Sequence, residues 1–172
     1  MDFFDNPYTE AHEPNGYDTA QFCLNGHCIT SCAATSPEFT SKFCRTCGAQ
    51  CITHCPSCRS TIRGYFHVPG VFGSVEIGTP SFCHECGKPY PWVSANLEAA
   101  KSLADELDEL KLDERELLKS SLEDLIRDTP KTQVAIVRFK KLLPKAGRGA
   151  AEAMRKLLID VVSEAVKKSI WP

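Results

Sequence analysis

Residues 43–64 read FCRTCGAQCITHCPSCRSTIRG and hold five of the ten cysteines of this 172-residue chain. Residues 44–47 and 55–58 each form a C-x2-C pair, and residues 83–86 form a third. A C-x2-C turn presents two thiolates to one metal ion, and a glycine directly after it, such as Gly87, relieves the backbone. The spacing therefore predicts three zinc knuckles.

Zinc in a structural site takes four ligands in a tetrahedron, so two sites require a fourth pair. Cys23 and His27 supply it, because Gly26 permits the sharp turn that brings the imidazole beside the thiol. Sequential pairing assigns Cys23, His27, Cys44 and Cys47 to one zinc, and Cys55, Cys58, Cys83 and Cys86 to the other. Cross-brace pairing, in which the first pair joins the third, is the alternative. The lengths of the intervening segments suit β-hairpins and favour the sequential arrangement, a double zinc ribbon.

Three further cysteines remain, Cys28, Cys32 and Cys51. Cys28 is an alternative to His27 as a ligand, and Cys28 with Cys32 is itself an alternative pair. The simpler interpretation is that all three pack as small apolar residues. A reactive thiol is a further alternative, since a thiolate near a cationic group or a metal has a lowered pKa.

The predicted sites have four protein ligands each and are mostly thiolate. A catalytic zinc keeps one position open for water, so these sites predict structural zinc, two ions per chain, and no catalysis or small-molecule substrate. Zinc supplies folding free energy that a small core lacks.

The composition changes near residues 92–94 to Ala, Leu, Glu and Lys, which favours helices. Apolar residues at helical spacing predict helices at 95–111, 114–127, 131–146 and 150–170, the second opened by a capping box of Asp113 and Glu116. The expected fold is a small α+β protein. It has an acidic, flexible segment at 1–20, a double zinc ribbon of short β-hairpins at 21–92, and about four helices at 93–172.

Charge divides the helical half in two. Residues 93–130 carry eleven acids and five bases, whereas residues 131–172 carry ten bases and three acids. Packing of the acidic helices (95–127) against the basic helices (131–170) explains this pattern, and an external anionic partner is the alternative. The polar start of the chain and the lack of a long apolar run predict a cytoplasmic protein, where paired cysteines favour metal over disulfides.

Several stretches together resemble a known family. They are CLNGHCIT, KFCRTCGAQCITHCPSCRSTIRGYFHVPGV, SFCHECGKPYPW, DTPKTQVAIVRFKKLLPKAG and VVSEAVKKSIWP. The resemblance is to an uncharacterised bacterial family of zinc-ribbon proteins, a domain of unknown function, and covers nearly all of the chain beyond residue 20. It implies the zinc-ribbon fold and zinc, and it implies that positions 28 and 51 need not be cysteine. It implies no established activity.

Zinc ribbons mostly bind other macromolecules, so we expect an interaction or adaptor module with a helical assembly domain, acting on a protein partner or as a homo-oligomer. A nucleic-acid-binding regulator is the first alternative, with Arg45, Arg59, Arg63 and Lys88 as phosphate ligands and nearby aromatic rings for stacking. A membrane-surface protein is the second alternative, through the amphipathic face of residues 150–170.

Overall fold

The structure is a computed structural model that describes residues 16–70 and 77–171. The chain divides between Thr79 and Pro80 into two compact units. The β-prone runs at 71–72 and 74–77 lie outside the described residues, apart from residue 77. Short antiparallel sheets precede a set of helices, and this confirms the predicted α+β class.

Two small sheets form the first unit. Strand β1 (Gly16–Thr19) pairs with β5 (Arg63–His67), and strand β2 (Gln21–Cys23) pairs with both β3 (Cys28–Thr30) and β4 (Cys51–Ile52). All three pairings are antiparallel. The strands are short because turns rich in Gly, Pro and Cys interrupt every β-prone run. Strand β1 lies within the segment that we expected to be flexible.

The core of the first unit is small. Ala20, Phe22 and Ile62 are fully buried, and Ala20 N donates to the Ile62 carbonyl at 2.8 Å. Gly64 lies where the turn after β3 crosses β5, and a Cβ there would be 2.0 Å from the Ser31 carbonyl oxygen. Because so few apolar side chains are buried, the strands need another source of folding free energy, such as bound metal.

The second unit contains five α-helices in the described residues. They are α1 (Pro91–Asp105), α2 (Leu112–Leu125), α3 (Pro130–Leu142), α4 (Gly147–Leu158) and α5 (Glu164–Ile170). A 3-10 helix, Leu143–Ala146, joins α3 to α4. Helix α1 contacts α2 and α4, α2 contacts α3, and α3 contacts α5.

The first two helices begin earlier than the sequence predicts. Helix α1 begins at Pro91 rather than near 95, because proline fits the first turn of a helix. Helix α2 begins at Leu112, and its capping glutamate is Glu114, whose Oε2 accepts from Lys111 N at 3.2 Å. The capping box predicted for Asp113 and Glu116 is therefore wrong.

The helix predicted at 150–170 is two helices. Helix α4 ends at Leu158, and α5 begins after Ser163, whose hydroxyl oxygen accepts from Val166 N at 3.3 Å. A serine at the N-cap satisfies an amide that the new helix leaves without a partner. Periodicity alone concealed this break, because apolar residues continue through it.

The apolar face of the last two helices is buried. Met154 and Leu158 have no exposed surface, and Val161, Val162 and Val166 are at most 5% exposed. Burial of each large side chain contributes about 1.5–3 kcal/mol, which explains why these helices fold back on α1 and α3. This burial also covers the apolar surface on which the membrane-surface alternative depends.

Ion pairs in the helical unit form mostly within each charged block. Lys119 pairs with Asp105 at 2.8 Å, and Lys101 pairs with Glu123 at 2.8 Å. Lys145 with Glu114 joins the basic block to the acidic block. Seven of the ten bases in 131–172 have no described carboxylate within 4.0 Å. The two blocks are thus joined mainly by apolar contacts rather than by charge.

Candidate metal centre

The knuckle at residues 44–48 is a turn closed by two backbone hydrogen bonds. Cys44 N donates to the Ala49 carbonyl at 2.8 Å, and Gly48 N donates to the Cys44 carbonyl at 2.8 Å. Cys44 is buried and Cys47 is exposed. The Thr46 amide points at Cys44 Sγ, 3.4 Å away, so the turn supplies an N–H donor to the thiolate.

The other two knuckles repeat this pattern. In residues 55–59 and 83–87, the N–H of the fifth residue donates to the carbonyl of the first at 2.9 Å. The residue after the second cysteine has a positive φ in all three, with 72° at Gly48, 63° at Arg59 and 66° at Gly87. Equivalent backbones at three places show that the C-x2-C spacing determines the turn. Arg59 departs from the glycine pattern.

The remaining predicted pair, Cys23 with His27, lies in the turn between β2 and β3. Cys23 N donates to the His27 carbonyl at 3.0 Å, and His27 N donates to Cys23 Sγ at 3.3 Å. Leu24 N donates to the Gln50 carbonyl at 2.9 Å, which holds this turn beside the knuckle at 44–48. Two distant parts of the chain therefore present their side chains to one point.

The structure brings together Cys23, His27, Cys44 and Cys47. The two sulfurs of Cys23 and Cys47 are 3.7 Å apart, and His27 Nδ1 is 3.5 Å from Cys23 Sγ and 3.6 Å from Cys44 Sγ. Tetrahedral coordination with zinc bond lengths separates two sulfurs by about 3.8 Å and a sulfur from a nitrogen by about 3.5 Å. The four side chains could thus hold a metal ion, and Nδ1 is the His27 atom that faces the sulfurs. Their grouping corresponds to sequential pairing rather than to a cross-brace.

The electrostatics of this tetrad suit a divalent cation. Burial raises the pKa of the Cys44 thiol, but amides of Thr46 and Cys47 and the adjacent thiols outweigh it and bring the pKa to about 6. The pKa of Cys47 is lowered, chiefly by the Ala49 amide, whereas burial raises the pKa of Cys23. Hydrogen bonding to Cys47 raises the pKa of His27. Negative charge is therefore stabilised on two thiols, where a cation would replace protons.

A contact that the sequence did not suggest supports the same site. Asn25 lies in the turn between the first two ligands, and its Nδ2 donates to Cys47 Sγ at 3.4 Å. A side-chain amide on a thiolate orients it and disperses its charge, as outer partners of metal ligands do. Asparagine within C-x3-H is too common in turns to be recognised as such a partner from sequence alone.

The cysteines excluded from the predicted ligands lie outside this tetrad. Cys28 is exposed on β3, and Cys51 on β4 is paired in register with Cys23. Burial, with the nearby charges of Cys44 and Cys47, raises the pKa of Cys51, which keeps its thiol protonated. Cys32 lies in the turn after β3, beside Asp18 and His67 rather than beside the tetrad.

The predicted ligands of the second zinc occupy two knuckles. Cys55 and Cys58 lie in the first compact unit, whereas Cys83 and Cys86 lie in the second. In each knuckle the first cysteine is buried and the second is exposed, as at residues 44–47. Each pair is thus presented in the same way as Cys44 and Cys47.

The residues predicted to bind nucleic acid are exposed, but their aromatic neighbours are only partly available. Arg45, Arg59, Arg63 and Lys88 are all exposed. Tyr90 and Trp92, in contrast, are at most 2% exposed and stack on each other at 4.7 Å. Phe72 lies outside the described residues. Tyr90 and Trp92 therefore belong to the core and are not available to stack on bases.

Knuckles on short hairpins, followed by a helical unit, define a small α+β protein with a cluster of three cysteines and a histidine that could hold a metal ion. The family model described as "Uncharacterized protein conserved in bacteria (DUF2321)" matches residues 16–170, and the chain belongs to that family. This confirms the resemblance to an uncharacterised bacterial family that the sequence analysis described. Neither the curated proteins nor the solved structures contain a match. No helix in the described residues is both long enough and apolar enough to cross a membrane.

Proposed function

We propose that the chain is a zinc-stabilised interaction module that binds a protein partner and catalyses no reaction. The observation that supports this best is the exposure of two phenylalanines beside the tetrad, Phe39 at 64% and Phe43 at 63%. Exposed apolar side chains that are grouped at one place are a feature of surfaces that bind another molecule. Phe43 directly precedes the ligand Cys44, so the metal would fix its position.

A groove beside the tetrad provides the shape for such a partner. Its volume is about 370 Å³, and its wall includes His27, Phe39, Cys44 and Arg45. Phenylalanine and arginine are both enriched at protein interfaces relative to the rest of the surface. The proposed occupant is a peptide segment with an apolar side chain for Phe39 and a carboxylate or carbonyl for Arg45.

The proposed metal is structural zinc, two ions per chain. Three thiolates and one imidazole leave no open position for water at the first site, which is the arrangement of a structural centre. For the second ion we propose Cys55, Cys58, Cys83 and Cys86, completing the double ribbon. The support is the common hydrogen bonding of the three knuckles.

Elemental analysis of the purified chain tests the metal. Two zinc ions per chain are expected, one after Cys55→Ser, and two after Cys51→Ser. One zinc or none in the wild-type protein would contradict the assignment, as would loss of zinc in Cys51→Ser.

Interaction is tested by replacing Phe39 and Phe43 with serine. The variant should keep its zinc and its circular dichroism but lose the partners that wild type retains in a pull-down, or lose self-association in light scattering. The matched control is Val137→Ser on α3, since Val137 is 66% exposed and far in sequence from the tetrad. An identical partner set and mass for wild type and the phenylalanine variant would refute the proposal.

Nucleic acid is a second candidate, favoured by Arg59. Arg59 has a left-handed backbone, and the equivalent residues of the other two knuckles are glycines. An arginine here therefore has a conformational strain that glycine would not have. If it binds phosphate, Arg45→Ala with Arg59→Gly should weaken binding to single-stranded RNA and reduce its salt dependence. Unchanged anisotropy at low salt would remove this candidate.

A further inference from the structure

A second groove, which we call the helical groove, lies in the second unit between α3, α4 and the end of α5. Its volume is about 370 Å³. Cavities of this size are typical of small-molecule sites, which are mostly apolar and have a few polar groups that orient the ligand. The helical groove has both of these features.

Most of the wall of the helical groove is apolar. It is formed by Phe139 on α3, Leu143 and Pro144 in the 3-10 helix, and Ile170 and Trp171 where α5 ends. Phe139, Leu143 and Ile170 are at most 8% exposed, so the groove has a floor of packed core side chains. An engineered apolar cavity of about 150 Å³ binds benzene, so the helical groove has room for an apolar body of roughly two rings.

Trp171 is held in position on one side of the groove. Its backbone N–H donates to the Lys167 carbonyl at 2.8 Å, and its ring meets the ring of Phe139 edge-to-face with centroids 6.1 Å apart. The Arg155 guanidinium lies 6.0 Å from the centre of the same indole, where the π-electrons attract a cation. The indole is therefore ordered before a ligand arrives, which reduces the entropy cost of binding.

Small residues on α4 leave the groove open. Gly147 and Ala151 both line it, and they lie on one face of the helix because they are four residues apart. Gly147 has a φ of 84°, a left-handed conformation in which the chain turns from the 3-10 helix into α4. A larger side chain at residue 151 would occupy the groove, so a substitution there can close it.

The charged side chains that line the groove are both basic. They are Lys140 on α3 and Arg148 in the first turn of α4, and both are exposed. Lys140 Nζ donates to the Ser169 carbonyl at 3.0 Å, which holds the ammonium group at the edge of the groove. Neither base has a carboxylate within 4.0 Å among the described residues, and no acidic side chain lines the groove. The groove is therefore positively charged, and its two cations lack a counter-charge.

We propose that the helical groove binds a small carboxylic acid whose apolar body is about the size of two fused rings. The body packs on Trp171 and on the core side chains of the floor, and the carboxylate pairs with Arg148 and Lys140. Arginine matches the geometry of a carboxylate with two parallel hydrogen bonds, and lysine adds a second positive charge. The acid is a ligand rather than a substrate, since the lining side chains include no thiol, hydroxyl, imidazole or carboxyl group.

A purely apolar compound and inorganic phosphate are the competing ligands. The first would cover the floor but leave both bases without a counter-charge, and the second would pair with the bases but leave the floor in water. A molecule that is acidic at one end and apolar at the other complements both parts of the groove. This site goes beyond the proposed interaction function and is independent of it, because every side chain that forms the groove lies in the second unit.

The probe that tests the site is naphthalene-2-carboxylate, and its neutral control is naphthalene-2-carboxamide, which has the same ring body. Calorimetric titration of the full, zinc-loaded chain at low salt should give a dissociation constant about tenfold lower for the carboxylate than for the amide, as expected for charges that meet near a protein surface. Added salt should reduce this difference, because it screens exposed charges.

The two tryptophans of the chain show where the probe binds. The indole N–H of Trp92 donates to the Pro80 carbonyl at 2.8 Å, and Trp92 is only 2% exposed, whereas Trp171 lines the groove. In a two-dimensional proton–nitrogen NMR spectrum, the carboxylate should shift the indole signal of Trp171 and leave that of Trp92 unchanged. Trp171→Phe assigns the two signals, because it removes one of them.

Three variants separate the contribution of charge from that of shape. Arg148→Gln should raise the dissociation constant of the carboxylate about threefold and leave that of the amide unchanged. Lys141→Gln is the matched control, since Lys141 is an exposed base outside the groove, and it should change neither constant. Ala151→Leu should abolish binding of both probes while circular dichroism and zinc content stay at wild-type values. If Ala151→Leu does not fold, the Trp171 signal of the wild-type chain still locates the site.

Three results would overturn the proposal. One is an unshifted Trp171 signal at millimolar carboxylate, which would show that the groove is empty. Another is an equal dissociation constant for the carboxylate and the amide, which would show that the two bases do not select an acid. The third is an effect of Lys141→Gln as large as that of Arg148→Gln, which would show that the probe responds only to the overall charge of the chain.

Discussion

Arg59 occupies the same left-handed backbone position as Gly48. Each follows the second cysteine of a knuckle, with φ of 63° and 72°, and each donates its N–H to the carbonyl of the first cysteine. Glycine adopts this conformation without strain, whereas for a residue with a Cβ the conformation costs about 1–2 kcal/mol of folding free energy. The knuckle at 55–58 therefore has a backbone strain that is absent from the knuckle at 44–47.

Arg59→Gly should stabilise the metal-loaded protein by about 1 kcal/mol, since the strain that it removes outweighs the extra conformational entropy that glycine loses on folding. The measurement is the urea midpoint at unchanged slope. Gly48→Ala is the matched control. Its Cβ would have no atom within 4 Å, so its expected loss of about 1–2 kcal/mol comes from the backbone alone. An unchanged or lower midpoint for Arg59→Gly would show that the Arg59 side chain contributes more than the strain costs.

His27, rather than Cys28, is expected to be the fourth ligand of the first site. His27→Ala should release one metal ion, His27→Cys should retain it because a fourth thiolate suits zinc, and Cys28→Ser should retain it because Cys28 lies outside the tetrad. Elemental analysis of the three variants distinguishes these outcomes. Loss of metal in Cys28→Ser alone would transfer the ligand role to Cys28.

The tetrad shows how much a sequence can specify. The C-x2-C spacing predicted all three knuckles, because a four-residue turn with two ligands has few backbone solutions. Sequential grouping of the first two pairs followed from the length between them. Asn25 and the cluster of Asp18, Cys32 and His67 could not be predicted, because they depend on contacts between segments that the strand register alone brings together.

The helices show where periodicity fails. Leu157, Leu158, Val161 and Val162 continue an apolar pattern through a break in the chain, so the pattern predicted one helix where α4 and α5 are separate. Ser163 was the local signal, since serine is a preferred N-cap. A serine in an amphipathic segment is also tolerated within a helix, so tertiary packing determined the break.

Asp18 should make the stability of the first unit depend on acid pH. Burial would raise the pKa of its carboxyl, but hydrogen bonds from Thr35, His67 and the amides of Ala34 and Thr19 outweigh it and hold the pKa below the ordinary value of 3.8. The contribution of Asp18 to the free energy of unfolding is therefore complete above pH 3.8. It is lost as the pH falls through the lower pKa of the folded chain. Asp18→Asn should cost about 1.5–3 kcal/mol near neutral pH, and this difference from wild type should shrink in acid.

Urea midpoints of wild type and Asp18→Asn across this range check the prediction. Metal release in acid affects both proteins, so only their difference reports on Asp18. A difference that stays constant down to the lowest pH would show that Asp18 does not titrate with folding.

Gly64 should tolerate no side chain. A Cβ there would lie 2.0 Å from the Ser31 carbonyl oxygen and 2.9 Å from Ala20 N, and both are backbone atoms that cannot rotate away. Gly64→Ala must therefore separate β5 from the turn that carries Cys32, at a cost of about 3 kcal/mol or more.

Gly78→Ala is the control, because nothing lies within 4 Å of its Cβ. The urea midpoint should fall sharply in Gly64→Ala and stay near wild type in Gly78→Ala. A normal midpoint for Gly64→Ala would mean that the turn does not sit against β5 as closely as the structure shows.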